Sequence, residues 1–315
     1  MENAISENTT AAPVADAAVP VKKVTFSSGR NTLYGHLYLP ADFAADRTYP
    51  AVLVGGSLTS VKEQMAGTYA HKMAQAGLLA LAFDYSGYGE SDGEPRQYED
   101  PARKLQDLEA AVTYLSSLPY VKSVGALGIC TTGGNVAYLA ADDQRVKAMA
   151  TVAAWLPQPS VTPMLYGGEA QVEKLRQQGM EARRHYDQTG ENQLIPAYSN
   201  TDKTASHLGP MEYYMDQTRG GGVKEWKNVF AVMSWEKWLD FDPVGKASRI
   251  TTPYLVIHSD GCALPDMARR FFDSLRGEKE LVWGDGYHFD YYDQPTQVAF
   301  AAGKAAAFLG NHLNG

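Results

Sequence analysis

The sequence has 315 residues, of which 44% are hydrophobic and 20% charged, a balance typical of a globular chain with a sizeable core. The formal net charge is -8 and the sequence has no basic cluster, which argues against a nucleic-acid partner. Two cysteines are too few for a disulfide framework, so we expect both to be reduced in a cytoplasmic protein. No apolar stretch reaches the roughly 20 residues of a membrane span, so no membrane partner is expected.

The first 20 residues, 1–20, are rich in Ala, Thr, Asn and Glu. They have neither the positive start nor the apolar centre of a secretory signal. Because the segment has little apolar surface to bury, we expect it to be a flexible N-terminal tail.

Strand and helix patterns alternate after the tail. Two alternating segments around a turn signal predict an antiparallel hairpin, and later apolar runs predict strands buried on both faces. The predicted strands are 24–26, 33–39, 51–54, 78–83, 124–129, 148–153, 254–258 and 280–283, and the predicted helices are 61–76, 101–118, 133–141, 265–275 and 295–312. This order is typical of an α/β fold with a mostly parallel central sheet and helices on both faces.

The alternation is interrupted over residues 156–242, which are rich in Tyr, Gln, Gly and charged residues. Because strands resume beyond this segment, we interpret it as a lid insertion over the carboxyl edge of the sheet, with 21–155 and 243–315 forming the core. Its aromatic residues either line a substrate pocket or form a small core of the insertion's own. We favour the second role for most of Tyr213, Tyr214, Trp226, Trp235 and Trp238.

The most specific motif is Gly128-Ile129-Cys130-Thr131-Thr132-Gly133-Gly134, between a predicted buried strand and a predicted helix. A sharp strand-to-helix turn needs small residues beside its apex, because a Cβ there would strike the neighbouring backbone. With Cys130 at the apex, its thiol would lie above the first turn of a helix, where backbone N–H groups favour the thiolate. The alternatives are a register with Thr132 at the apex and a purely structural Cys130.

This motif resembles the nucleophile elbow of the α/β-hydrolase superfamily, in the dienelactone-hydrolase-like branch, where the nucleophile can be cysteine. The resemblance extends in element order from about Val21 to His312. The motif departs from the usual Gly-x-Ser-x-Gly pattern at Cys130 and at Thr132. The resemblance implies the α/β-hydrolase fold, a lid at the insertion, and the chain order nucleophile, acid, base.

A cysteine nucleophile needs a base that a third group orients. The resemblance places the base in the loop after the last strand, where His288 fits, whereas the other histidines lie in predicted strands or helices, in the insertion or at the chain end. The acid should follow the strand 254–258, and Asp260 is the nearest carboxylate. Cys262 stands close to where some relatives place Asp, and Asp266 is the alternative acid.

The oxyanion hole should combine two backbone N–H groups. One belongs to Thr131, directly after the nucleophile, and by family position the other belongs to Ser57, after the strand 51–54. Glycines before Ser57 let the backbone approach a substrate. The predicted substrate-binding residues are Leu58, Tyr85, Trp155 and Tyr287.

These residues predict a hydrolase that cleaves a carboxylic ester, lactone or thioester through a Cys130–His288–Asp260 triad and an acyl-enzyme intermediate. Thiolates are good leaving groups, so activated esters, enol lactones and thioesters fit better than simple alkyl esters. The alternatives are an acyltransferase or carbon–carbon bond hydrolase with the same triad, or an inactive ligand-binding relative. No His/Cys/Asp cluster has metal-ligand spacing, so we expect neither a metal nor a cofactor. The expected partner is a small acyl substrate, and the sequence is compatible with a homo-oligomer.

Overall fold

The computed structural model describes residues 18–314. Its strands are β1 (Val21–Ser28), β2 (Asn31–Tyr38), β3 (Tyr49–Gly55), β4 (Leu79–Phe83), β5 (Val121–Ile129), β6 (Val146–Val152), β7 (Leu194–Ile195), β8 (Tyr198–Ser199), β9 (His207–Leu208), β10 (Phe230–Ala231), β11 (Tyr254–Gly261) and β12 (Lys279–Tyr287). The main sheet has eight strands in the order β1-β2-β4-β3-β5-β6-β11-β12. β2 pairs antiparallel with β1 and β4, and the remaining pairs are parallel, so the predicted α/β-hydrolase architecture is confirmed.

Helices cover both faces of this sheet. The α-helices within residues 18–314 are α1 (Met65–Gln75), α2 (Pro101–Ser117), α3 (Thr131–Asp142), α4 (Thr162–Leu165), α5 (Glu169–Thr189), α6 (Glu212–Met215), α7 (Trp235–Trp238), α8 (Pro243–Lys246), α9 (Pro265–Ser274), α10 (Asp290–Asp293) and α11 (Pro295–Leu313). α1 and α11 pack together on one face, and α2, α3 and α9 cover the other. Short 3-10 helices lie at Pro159–Val161, Gly220–Gly222, Val232–Ser234 and Ala247–Arg249. No helix within 18–314 is both long and apolar enough to cross a bilayer.

The predicted tail, 1–20, lies mostly outside the described residues. Of its last residues, Val19 packs against the core, and the Pro20 carbonyl accepts a hydrogen bond from the Leu39 N–H at 2.9 Å. These two residues therefore belong to the packed domain and not to a free tail.

The insertion 156–242 contributes no strand to the main sheet in the described structure, and its longest element, α5, packs on α7. Its five predicted core aromatics are buried, but they share one hydrophobic cluster with residues of the central strands. The expectation of a separate small core is therefore corrected, because the insertion packs on the sheet and shares its apolar interior.

The first predicted helix begins at Met65 and not at residue 61, because Lys62 is held in the preceding loop. Its backbone N–H donates to Asp84 Oδ1 at 2.8 Å, and its Nζ donates to Asp84 Oδ2 and Glu90 Oε2, each at 2.7 Å. The side chains of Lys62 and Asp84 are 1% and 0% exposed. This buried pair anchors the loop that follows β3 to the loop that follows β4.

Replacing Lys62 with Ala is expected to lower the free energy of unfolding by about 3–5 kcal/mol, because the Asp84 carboxylate would remain buried without its partner. Lys122→Ala is the matched control, because Lys122 is exposed, and it should change the free energy of unfolding by less than about 0.5 kcal/mol. Urea unfolding curves measure both. Equal stability of the two variants would show that the buried pair contributes nothing.

Candidate active site

Cys130 lies at the apex of the turn between β5 and α3. Its backbone has φ 51° and ψ -116°, a strained conformation for a residue with a side chain. A Cβ on Gly128 would lie 2.5 Å from the Thr132 carbonyl oxygen, which explains the glycine. Thr132 is fully buried, and its Oγ1 lies 3.0 Å from the Tyr85 hydroxyl. The apex is therefore Cys130 and not Thr132.

The backbone N–H groups of Thr131 and Leu58 lie near the Cys130 sulfur, where they act to lower the pKa of the thiol. The expected second donor was Ser57, so the structure places the donor one residue further along the loop. The Ser57 hydroxyl contacts the Tyr214 hydroxyl and Met65 Sδ. The Leu58 and Thr131 amides therefore form the candidate oxyanion hole.

The Cys130 thiol is buried, and burial raises its pKa above the usual value. The Tyr292 hydroxyl, Thr131 and the Leu58 amide act to lower the pKa of the thiol, but they do not reverse the effect of burial. The expectation that the helix start favours the thiolate is therefore corrected. Burial outweighs the helix terminus, and the neutral thiol is the favoured form.

His288 lies in the same pocket, but its ring is held in an unexpected orientation. The Ala263 N–H donates to Nδ1 at 3.2 Å, and Nε2 lies 3.1 Å from the Tyr292 hydroxyl. Burial, followed by the charge of His258, lowers the pKa of His288 to about 3, so the ring is neutral. Because Nδ1 accepts a hydrogen bond, the proton is on Nε2, which donates to Tyr292. No hydrogen bond joins His288 to Cys130 directly.

The structure does not bring Asp260 to His288. The Asp260 side chain is 77% exposed and pairs with Arg269 at 2.6 Å, and Asp266, the alternative acid, is 90% exposed. The Arg269 guanidinium holds the pKa of Asp260 below its usual range. The expected carboxylate–histidine contact is thereby corrected, since the backbone of Ala263 takes the place of an acid.

Close backbone contact explains how Ala263 reaches the histidine. A Cβ on Gly261 would lie 2.5 Å from the Gly286 carbonyl oxygen, and the His288 N–H donates to the Gly261 carbonyl at 3.2 Å. The Ala263 carbonyl oxygen lies 3.1 Å from His258 Nε2. One peptide segment therefore bridges two histidines.

A pocket of about 300 Å³ opens above Cys130 and His288. Of the predicted substrate-binding residues, Leu58 and Trp155 line it. Tyr85 is buried beneath the elbow and Tyr287 is 76% exposed, and neither lines the pocket, which corrects both assignments. Lid aromatics complete the wall, namely Tyr198, Tyr214 and Trp238. A larger groove of about 780 Å³ against α5 contains none of the predicted catalytic residues.

Comparison with known proteins identifies the family. Residues 51–302 match the Alpha/beta hydrolase family. The chain belongs to this family. The uncharacterized protein PA2218 of Pseudomonas aeruginosa is 30% identical over 318 aligned positions, which cover 94% of this chain and 82% of that protein. Its crystal structure has a TM-score of 0.81 at 28% identity and covers 99% of this chain and 100% of that one.

Relatives of this α/β hydrolase include hydrolases and acyltransferases. Thiohydrolase aneE of Aspergillus aculeatus is 28% identical, over 65% of this chain and 59% of that protein. Polyketide transferase claH of Penicillium crustosum is 26% identical, over 82% of this chain and 87% of that protein. A dienelactone hydrolase from Anabaena variabilis has a lower TM-score of 0.56 at 16% identity, covers 94% of this chain and 99% of that one, and supports the shared fold alone.

Sequence reasoning missed Tyr292 and His207 in this α/β hydrolase. Tyr292 follows His288 by four residues, a spacing that places side chains on one face of a helical turn, so it could have been found. His207 lies in the insertion, and its place in the pocket depends on how the lid packs. No local signal marks it.

Iodoacetamide is expected to alkylate Cys130 before Cys262, and both more slowly than an exposed cysteine at neutral pH. Burial raises the pKa of Cys262 to about 11 and the charge of Asp290 adds to this effect, whereas at Cys130 the Tyr292 hydroxyl, Thr131 and the Leu58 amide act against burial. A raised pKa lowers the thiolate fraction at neutral pH. The alkylation rate of Cys130 should therefore continue to rise with pH in the range where an exposed thiol is already fully ionised. Peptide mapping across pH measures this, and Cys262 reacting first would contradict it.

Proposed function

We propose that this protein is a cysteine-dependent hydrolase that cleaves thioesters or activated esters and lactones through an acyl-enzyme on Cys130. One observation carries the proposal: a thiol at a strained elbow faces two backbone N–H groups at the floor of an apolar pocket. This arrangement suits attack on a carbonyl, whose oxygen would take the place between the Leu58 and Thr131 amides.

His288 and Tyr292 support the nucleophile in this proposal. His288 Nε2–H donates to the Tyr292 oxygen, which leaves the Tyr292 hydroxyl proton free to face the Cys130 sulfur. As the sulfur attacks the carbonyl carbon, the thiol proton passes to water, and the thiolate or enolate that leaves takes a proton back from water. The chain of donors stabilises the negative charge that develops on the sulfur in this step. It differs from a Cys–His–Asp triad, because the imidazole contributes through a tyrosine and is oriented by a backbone amide.

Substrates with good leaving groups fit this machinery best. Without an acid to stabilise an imidazolium, the site is poorly equipped to protonate an alkoxide leaving group. A thioester releases a thiolate and an enol lactone releases an enolate, and neither needs strong general acid catalysis. The thiohydrolase name of one relative is in keeping with this substrate class.

Acyl transfer to an alcohol or amine is the second candidate. It uses the same acyl-enzyme, and the relative named a polyketide transferase, matched over 82% of this chain, favours it. The two reactions differ only in the molecule that accepts the acyl group. Product analysis with and without added alcohol separates them.

Mass spectrometry of the intact protein tests the proposal. Incubation with hexanoyl and benzoyl thioesters of N-acetylcysteamine should add one acyl group, mapped to Cys130, and release free thiol. The Cys130→Ala variant should show neither adduct nor release. The proposal would be rejected if thiol release persisted in this variant. It would also be rejected if the unmodified protein bound these thioesters without forming any adduct, and that outcome would favour a ligand-binding relative.

A further inference from the structure

The lid brings a second histidine to the pocket. His207, in β9, lines the pocket together with Cys130 and His288. Its ring centroid lies 5.7 Å from that of Tyr198, 6.2 Å from that of Trp155 and 6.1 Å from that of Trp238. The imidazole is therefore a polar group within an aromatic wall.

Ser206 determines which ring nitrogen of His207 carries the proton. The Ser206 hydroxyl donates to the Ala197 carbonyl at 2.8 Å, and its Oγ also lies 3.1 Å from His207 Nδ1. A hydroxyl has a single proton to donate, so Nδ1 must be the donor in the second contact. The neutral ring then keeps an unshared electron pair on Nε2.

This Nε2 is an unused acceptor. It has no hydrogen-bond partner within residues 18–314. The tyrosine hydroxyls of the pocket, in contrast, have partners: the Tyr198 hydroxyl donates to the Leu58 carbonyl at 2.9 Å, and the Tyr292 hydroxyl contacts His288. Burial lowers the pKa of His207 to about 4, so the ring is neutral near pH 7 and does not attract anions as a cation would. What it can bind is a hydrogen-bond donor.

We propose that His207 is a specificity-determining residue whose Nε2 accepts a hydrogen bond from a hydroxyl group on the acyl chain of the substrate. This inference rests on the proposed function, since it concerns the acyl group that Cys130 attacks. An alkyl chain bound there would remove water from Nε2 without replacing its hydrogen bond, and a methyl ether offers no donor. The pocket therefore discriminates hydroxyacyl from simple acyl substrates.

Binding to the Cys130→Ala protein tests the inference without turnover. The ligands are N-acetylcysteamine thioesters of hexanoate, of hydroxyhexanoates with the hydroxyl at each successive carbon, and of the matching methyl ethers. Quenching of the pocket tryptophans reports affinity. At least one hydroxy ligand is expected to bind about tenfold more tightly than the hexanoate thioester and than its own methyl ether. This ratio corresponds to the one hydrogen bond that the other two ligands cannot make.

Three further variants in the same background locate the effect. His207→Phe should bring the hydroxy-to-alkyl affinity ratio close to one, and Ser206→Ala, which keeps the ring but frees its tautomer, should lower the ratio. His185→Phe is the matched control, since His185 is a lid histidine outside the pocket that pairs with Glu191. It should keep the ratio.

Two results would overturn the inference: no hydroxy ligand exceeding hexanoate, or a ratio that survives His207→Phe. Nitrogen-15 NMR of the imidazoles is an independent check, because His207 observed as the Nε2–H tautomer would also reject it. Acylation of Cys130 is measured separately in the unmodified protein. Acylation without hydroxyl preference rejects His207 alone, whereas hydroxyl preference in binding without any acylation rejects the proposed function and leaves the binding role of His207 standing.

Discussion

Replacing Cys130 with Ala is expected to lower kcat/KM for a thioester by at least about 10⁴-fold, because the only proposed covalent nucleophile is lost. The fold should be retained, since alanine keeps the Cβ and carries the same backbone strain at φ 51°. Turnover of the best acyl thioester and the melting temperature measure the two effects. A melting temperature near that of the unmodified protein makes the loss of activity a loss of chemistry.

Two other variants make this result specific. Cys130→Ser should keep a small residual activity, because a hydroxyl can occupy the same place but is a weaker nucleophile near neutral pH. Cys262→Ala removes the other thiol of the pocket, which shows no interaction with the Leu58 and Thr131 amides, and it should keep most of the activity. If Cys262→Ala were the inactive variant and Cys130→Ala active, the nucleophile would be misassigned.

The fold was predictable from the sequence because its signals are local. Apolar runs such as 51–54 and 124–129 mark strands buried on both faces, and they became β3 and β5 with only their ends extended. Asp100 caps α2 by accepting the Ala102 N–H at 2.9 Å, as its position before Pro101 indicates. The elbow was readable as a strand-to-helix turn, but the sequence left Cys130 and Thr132 as alternative apex residues, and the burial of Thr132 in the structure decides for Cys130.

The partners of the nucleophile were not predictable in the same way. Asp260 is the carboxylate at the carboxyl end of β11, yet its side chain points to solvent and pairs with Arg269. Which atom faces His288 depends on the close approach of the Gly261 and Gly286 backbones, a long-range contact that sequence spacing does not encode. The Ser57 and Leu58 amides are one residue apart in the sequence. A resemblance to a family does not locate the second oxyanion donor to within a single residue.

Electrostatics is the other source of error. A helix N-terminus lowers a thiol's pKa at an exposed site, but at Cys130 the lid excludes water and burial dominates. The same burial keeps His207 and His288 neutral. Burial therefore decides the protonation of all three groups, and the packing of the insertion, which contributes aromatic residues to their pocket, was the least predictable part of the chain.

Replacing Tyr292 with Phe is expected to lower kcat/KM by about 10²-fold, because it removes the hydroxyl that links His288 to the Cys130 sulfur. His288→Ala should cause a loss of similar size. Since the two residues act as one chain of hydrogen bonds, the double variant should be no slower than the worse single variant, within about threefold. Steady-state kinetics of all four proteins with one acyl thioester gives the coupling.

Asp260→Asn is the matched control for this cycle, because it alters a carboxylate at the end of β11 that does not contact His288. It should leave kcat/KM close to that of the unmodified protein. If Asp260→Asn instead lowered kcat strongly and Tyr292→Phe had no effect, the working enzyme would use a carboxylate-oriented histidine. Losses for Tyr292→Phe and His288→Ala that simply multiply would show that the two side chains act independently, and that His288 does not reach the sulfur through the tyrosine.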